Sequence, residues 1–232
     1  MESNFAFTGG CLRLISSELI AIETEFVDNI AYEGGVFDVS GTSMFEISSS
    51  KLTGNYAVNA AIINILAKSK PSNEMRLLTL GRVPFRFERS EINYNKAFTG
   101  LAKLTKSEVE FNDCQIVDNI AKISTHGFSV ESSKLYVYNS YIAFKNLTPK
   151  ESEMEKLDTG FINLVLNSEL HLANTKIEGM RAYKQAVLTA WQSSVYIKSN
   201  VEFVNNLTVA KDGTIMAFWD TNEVKINGAT FK

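Results

Sequence analysis

The amino-acid sequence predicts an all-β fold, a parallel β-helix or solenoid of about eight coils with two loop insertions. Two observations carry this prediction. A short motif recurs along the whole chain, and apolar and polar residues alternate in the segments between its copies. Proline is scarce, with 3 in 232 residues, as expected where a neighbouring strand needs nearly every backbone N–H.

The recurring motif is a large apolar residue, two variable residues and an asparagine, usually followed by x-Ala. A well-formed copy is Phe26-Val-Asp-Asn29 with Ala31, and degenerate copies run from Ile142 to Lys145 and from Ile177 to Met180. Six of the eight intervals between successive copies are 24 to 28 residues long, and those of 40 and 35 residues indicate a coil plus an insertion. The leading positions are 1, 26, 52, 92, 116, 142, 177, 203 and 231.

Each coil contains two segments with the period-two alternation that is typical of half-buried strands. Before the motif, for example, apolar Phe45 and Ile47 flank Glu46, and after it Ile63 and Ile65 flank Asn64. A unit of about 25 residues cannot bury its apolar face alone, whereas stacking such units ~4.8 Å apart buries it and pairs every strand. Eight stacked coils would form a rod roughly 38 Å long.

Double glycines precede the second alternating segment in the first two coils, as Gly9-Gly10 and Gly34-Gly35, and Gly100 and Gly127 retain one glycine each. Together with the apolar-x-x-Asn-x-Ala motif, this pairing resembles the repeat of chlamydial polymorphic outer membrane proteins. Related repeats occur in other right-handed β-helix surface proteins of the pectin-lyase-like class. The resemblance covers essentially the whole chain, and it implies a right-handed coil and an adhesin-like module in an extracellular or cell-surface location.

The motif asparagines form the most regular polar column that stacked coils would create. Asparagine tolerates the left-handed backbone conformation and can hydrogen-bond the turn, and stacked side-chain amides can bond one another in a ladder. We therefore expect a structural ladder, interrupted at Lys145 and Met180, rather than a row of ligand-binding amides. Its expected members are Asn4, Asn29, Asn55, Asn95, Asn119 and Asn206.

The outward positions of the strand before the motif offer the best candidate for a binding surface. On three neighbouring coils they carry an aromatic patch that we expect to be exposed. Exposed aromatic rings stack on sugar faces or anchor a protein partner. The alternative is that tyrosine simply suits a strand surface and its cross-strand neighbours. The patch consists of Tyr136, Tyr138, His171 and Tyr196.

The sequence shows no recognisable enzyme or metal-site pattern, so we expect no catalytic residues, no metal ligands and no cofactor. Glycoside hydrolysis needs paired carboxylates, whereas the acids Glu46, Glu88, Glu110 and Glu169 are scattered among opposite charges. A net charge of −3 argues against nucleic acid as a partner. No apolar run reaches the roughly 18 residues that a transmembrane segment needs.

We expect one β-helix domain over residues 1–232, with polar insertions at residues 67–75 and 146–159. The first motif copy begins at Met1 and the last at Phe231, without an amphipathic helix or polar cap before or after them. Open terminal coils leave unpaired strand edges. The sequence therefore predicts a segment of a longer solenoid, or of an assembly in which protein neighbours stack on the open coil ends.

Three functional interpretations remain open. The first is a non-enzymatic structural or adhesive module, a rigid rod or spacer that presents loops and the aromatic patch to protein or glycan partners. The second is a carbohydrate-binding or polysaccharide-cleaving β-helix that uses the aromatic patch as its subsites. The third is a building block of a large intracellular assembly, which contacts its neighbours through the insertions and the open coil ends.

Overall fold

The structure, a computed structural model, is all-β, as predicted. Its described part forms 31 short strands and no helix, and every strand pairing is parallel. The insertion expected at residues 146–159 lies outside this part, as does the one at residues 67–75 apart from Ala67. Within the described ranges, no helix has the length and apolar character needed to cross a membrane. The described residues are 1–67, 83–121, 127–145, 160–208 and 210–232.

Three parallel sheets, each eight strands deep, form the walls of the solenoid. Sheet I contains Leu12–Ile15, Phe37–Ser40, Ile63–Leu66, Ala102–Thr105, Phe128–Glu131, Ile162–Val165, Gln185–Trp191 and Thr214–Trp219. Sheet II contains Glu18–Ile22, Met44–Ser48, Phe85–Glu88, Glu108–Asn112, Lys134–Tyr138, Glu169–Ala173, Ser194–Ile197 and Glu223–Ile226. Sheet III contains Glu25–Val27, Lys51–Thr53, Glu91–Asn93, Gln115–Val117, Tyr141–Ala143, Lys176–Glu178, Val201–Val204 and Ala229–Phe231.

Two smaller sheets complete the coils between sheet III and the next strand of sheet I. Sheet IV contains Phe5–Thr8, Ile30–Glu33, Tyr56–Asn59, Lys96–Ala97 and Ile120–Ala121. Sheet V contains Arg181–Ala182 and Leu207–Thr208. The chain visits sheets I, II and III in the same order in each coil and makes about seven turns, close to the predicted eight coils.

The register aligns equivalent motif positions from coil to coil. Phe26 pairs with Leu52 in sheet III, and Leu52 pairs with Ile92 although 40 residues separate them in sequence. All three side chains are at most 1% exposed. Apolar residues of the same motif position therefore stack into columns, which is how short strands from separate coils share one core.

Phenylalanine rings contact one another from coil to coil in the middle of this core. The rings of Phe87 and Phe111 stack with their centroids 4.7 Å apart, and Phe111 contacts Phe128 at 5.1 Å. Each of these side chains is 1% exposed or less. Burying one such side chain contributes about 1.5–3 kcal/mol, so the interior stacking holds neighbouring coils together strongly.

The double glycine of the second coil serves two different steric needs. Gly34 adopts a left-handed backbone with φ of 58°, which glycine reaches without strain. Gly35 instead lies against the next coil, where an added Cβ would fall onto the carbonyl oxygen of Ala61. The equivalent left-handed position of the third coil is Ala60, also with φ of 58°. The turn can thus be built without glycine, at a cost in strain.

Candidate functional site

The motif asparagines lie at the corners of the coils, and each of them from Asn29 onward follows a strand of sheet III. The Nδ2 atom of Asn29 donates to Oδ1 of Asn55 at 2.8 Å, and Nδ2 of Asn55 donates to Oδ1 of Asn95 at 2.9 Å. Oδ1 of Asn55 also accepts the backbone N–H of Asn29, and Oδ1 of Asn95 accepts the backbone N–H of Asn55. The second amide hydrogen of Asn55 bonds the carbonyl of Phe26 at 3.0 Å. These three side chains are 0% exposed and fully hydrogen-bonded, so they have nothing left to offer a ligand.

The continuous row of amides extends from Asn4 to Asn119. The next two coils carry Lys145 and Met180 at the same position, and these side chains have no amide to continue it. Asn206 makes the same hydrogen bond as the earlier motif asparagines, because its Oδ1 accepts the backbone N–H of Met180 at 2.9 Å. Asn206 is therefore bonded like the other members but is separated from them by two coils.

The left-handed conformation, which asparagine tolerates, occurs one residue before the motif asparagines. The φ angle is 51° at Asp28, 59° at Tyr94 and 54° at Asp118, whereas the asparagines that follow them have no positive φ. Asparagine contributes here through the hydrogen bonds of its side chain, whereas the left-handed backbone falls on the residue before it.

Sheet II brings the four predicted aromatic residues together on its outer face. Tyr136, His171 and Tyr196 are register partners on three successive strands. The ring centroids of Tyr136 and His171 are 4.8 Å apart, and those of His171 and Tyr196 are 4.7 Å apart, with nearly parallel planes. The ring of Tyr138 lies 6.1 Å from that of Tyr136. These four residues are called the aromatic column below.

The aromatic column is half-buried, whereas we expected an exposed patch from the sequence. The His171 side chain is 17% exposed, because a tyrosine ring covers each of its faces. Strands in a sheet are ~4.8 Å apart, so flat side chains at the same position of successive strands stack almost in contact. The stacked inner faces of the rings are covered, so a partner would meet the ring edges.

Burial and neighbouring charged side chains shift the pKa values of His171 and Tyr196 in the aromatic column. The Nε2 atom of His171 lies 3.3 Å from a Glu169 carboxylate oxygen, which also pairs with Lys134 at 3.0 Å. Burial lowers the pKa of His171 below its ordinary value, although Glu169 acts in the opposite direction. The Tyr196 hydroxyl donates to Glu223 at 2.8 Å, and this hydrogen bond raises the pKa of Tyr196. Both shifts favour the uncharged forms of His171 and Tyr196.

A second row of asparagines, exposed this time, runs along the corner beside the aromatic column. Nδ2 of Asn139 donates to Oδ1 of Asn112 at 2.8 Å, Asn174 donates to Asn139 at 3.1 Å, and Asn200 donates to Asn174 at 3.3 Å. Sequence analysis missed this row. The available signal was the spacing, since Asn139, Asn174 and Asn200 are 35 and 26 residues apart, like the motif copies of the same coils.

A groove of about 440 Å³ opens where the buried asparagine row is interrupted. Among its lining residues, Tyr141 donates its hydroxyl hydrogen to Glu178 at 2.7 Å, and the Lys145 ammonium lies 4.6 Å from the Tyr141 ring centroid. Burial and the contact with Glu178 raise the pKa of Tyr141 to about 12. Glu178 also pairs with Lys176 at 2.8 Å. Its carboxylate is thus committed to two protein partners.

In the described part of the chain, no group of three or more potential metal ligands occurs.

The fold and its surface define a parallel β-solenoid protein with an aromatic column on one outer sheet. The chain matches no protein-family model, and no solved structure matches it significantly. It is similar to "Metabotropic glutamate receptor-like protein Q" of Dictyostelium discoideum, with 30% identity over 151 residues. The match covers 55% of this chain and 13% of that protein, so the chain spans only a small part of this relative. These comparisons do not confirm the likeness to chlamydial repeats or to the pectin-lyase class.

Proposed function

We propose that this chain is a non-enzymatic structural and adhesive module, a rigid rod that presents the aromatic column to protein or glycan partners. The observation that carries the proposal is the stack of Tyr136, His171 and Tyr196 on the outer face of a sheet. Rings already held in place lose little conformational freedom when a partner binds. Tyrosine is also enriched among the residues that dominate protein interfaces.

The rigidity needed for such a role comes from bonds between coils. The three long sheets hydrogen-bond each coil to its neighbours, and the buried amide row adds side-chain bonds across the first five coils, from Asn4 to Asn119. Because these bonds run along the axis of the solenoid, they resist separation of the coils. A partner that binds the aromatic column would therefore pull on a stiff element.

The proposed setting is the extracellular space or the cell surface, and the chain is proposed to be a segment of a longer, right-handed solenoid. Two similarities support this setting: the matched relative carries a receptor-like name, and the repeat resembles that of β-helix surface proteins. Biotinylation of intact cells that express the parent protein tests it, with labelling of the solenoid as the expected result. Labelling only after lysis would instead support a building block of an intracellular assembly that stacks through its coil ends.

The adhesive role is tested with beads coated with the purified chain and applied to cells. The double variant Tyr136→Ala/Tyr196→Ala removes both outer rings of the stack and should strongly reduce bead attachment. Tyr94→Ala is the matched control, because Tyr94 is 45% exposed and lies outside the aromatic column. Equal attachment of the double variant, the control and the parent chain would show that the aromatic column is not the adhesive surface.

Glycan binding at the aromatic column is the alternative that the exposed asparagine row favours, because amides can hydrogen-bond sugar hydroxyls beside a stacked ring. An array of glycans probed with the parent chain and with Tyr136→Ala distinguishes a glycan partner from a protein partner. Glycan binding that Tyr136→Ala abolishes favours a carbohydrate partner. Attachment to cells that persists after enzymatic removal of surface glycans favours a protein partner.

A further inference from the structure

The two tryptophans of the chain lie next to each other on the outer surface, away from the aromatic column. Trp191 and Trp219 end successive strands of sheet I and are register partners. Their side chains are 43% and 46% exposed, although tryptophan is usually well buried. Neither indole N–H has a hydrogen-bond acceptor among the described residues. The pair is called the tryptophan ledge.

The corner that follows the tryptophan ledge carries planar polar groups. Gln192 Nε2 donates to a carboxylate oxygen of Asp220 at 3.1 Å, one coil further on. Nδ2 of Asn222 reaches Oδ1 of Asn167 across the same corner at 3.4 Å. The two exposed indoles thus adjoin three amides and a single carboxylate. Amides and a carboxylate can hydrogen-bond the hydroxyl groups of a ligand that carries no net charge.

We propose that the tryptophan ledge binds a neutral glycan chain that runs along the solenoid axis. The indole rings contact the C–H faces of successive sugar rings, and Gln192, Asp220 and the indole N–H groups hydrogen-bond the hydroxyls. The two indoles alone would supply only a small part of a stable protein interface. Two tryptophans bury about 150–250 Å² each at most, and less than half of that remains exposed here, whereas a stable interface needs roughly 800 Å² per partner.

The inference is independent of the adhesive role proposed for the aromatic column, since the two surfaces belong to different sheets. It also has a direct readout. The chain contains 2 tryptophans, both in the ledge, so its intrinsic tryptophan fluorescence reports on this site alone. A sugar ring that covers an exposed indole removes water from it and shifts its emission to shorter wavelength.

The experiment titrates the chain with soluble cello-, xylo-, manno-, chito- and galacto-oligosaccharides and follows the fluorescence, with calorimetry on each oligosaccharide that produces a shift. At least one is expected to shift the emission. Calorimetry should then show binding at least about tenfold weaker for Trp219→Ala and Trp191→Ala, as expected for loss of one stacked ring. Tyr136→Ala is the control and should bind like the parent chain. Both indoles are surface groups, and an unchanged circular dichroism spectrum verifies that the variants are folded.

Two results would overturn the proposal. The first is that no neutral oligosaccharide changes the fluorescence or produces heat of binding. The second is binding that survives both tryptophan substitutions but is lost in Tyr136→Ala. That outcome would place the glycan on the aromatic column and leave the ledge without a ligand.

Discussion

Replacing Asn95 by alanine tests the energetic role of the buried amide row. The Asn95 side chain is 0% exposed and takes part in four hydrogen bonds. It donates to Asn119 and to the carbonyl of Leu52, and it accepts from the backbone and the side chain of Asn55. Alanine can replace none of these bonds, and the backbone groups that it leaves unpaired are buried. The substitution should therefore destabilise the fold strongly.

The expected magnitude follows from the number of bonds. At about 1 kcal/mol net for each bond, the loss of four amounts to about 4 kcal/mol. For a chain of this size, a loss of 1 kcal/mol lowers the melting temperature by about 2–4 °C. We therefore expect Asn95→Ala to melt roughly 8–16 °C below the parent chain.

Asn206→Ala is the matched control, because it makes the same change at a half-buried member with two bonds, to Met180 and Ile177. It should cost about half as much, about 2 kcal/mol. Thermal unfolding followed by circular dichroism measures both variants, and hydrogen exchange at the Asn55 amide reports the local loss directly. If Asn95→Ala is no more destabilising than Asn206→Ala, the amide row does not hold the coils together as we describe.

Three further substitutions have defined outcomes. Because burial lowers the pKa of His171, the unfolded chain binds more protons below pH ~6.5, so stability falls there on acidification. Urea unfolding at several pH values should show this loss reduced in His171→Phe. Burial raises the pKa of the Cys114 thiol to about 12, so a thiol reagent at pH ~8 should modify it only after unfolding, and Cys114→Ala identifies its signal. Gly35→Ala forces a Cβ against Ala61 and should cost about 2–3 kcal/mol in urea unfolding, whereas unchanged stability would refute this close approach.

The spacing of the motif was enough to predict the stacking of the coils. Leu52 and Ile92 could be aligned by their motif position despite the longer interval between them, and they are direct partners. The backbone of the corner could not be predicted in the same way. Asp28 and Asn29 both tolerate a left-handed conformation, so composition does not decide which adopts it. The hydrogen bonds of the buried amide row, which exist only in the stacked structure, decide it.

The sequence placed the aromatic residues on one outer face, because outward positions follow from period-two alternation. The stacking and partial burial of His171 depend on the neighbouring rings and on Glu169, which single-strand alternation does not describe. The tryptophan ledge was missed for another reason. Trp191 and Trp219 lie at the ends of their strands, and the available signal was their spacing of 28 residues, which equals that of motif positions 203 and 231.

The central claim is that equivalent positions of successive coils lie one strand spacing apart along a rigid axis. Spin labels at Glu25→Cys and Glu202→Cys, in a chain with Cys11→Ser and Cys114→Ala, test it by pulsed electron resonance. The labelled sites lie six strand steps apart in sheet III, along the register Glu25, Lys51, Glu91, Gln115, Tyr141, Lys176 and Glu202. We predict a narrow distribution near 29 Å, shortened to about 24 Å when the first label moves to Lys51→Cys. A broad distribution, or distances that do not change by one strand spacing, would contradict the solenoid.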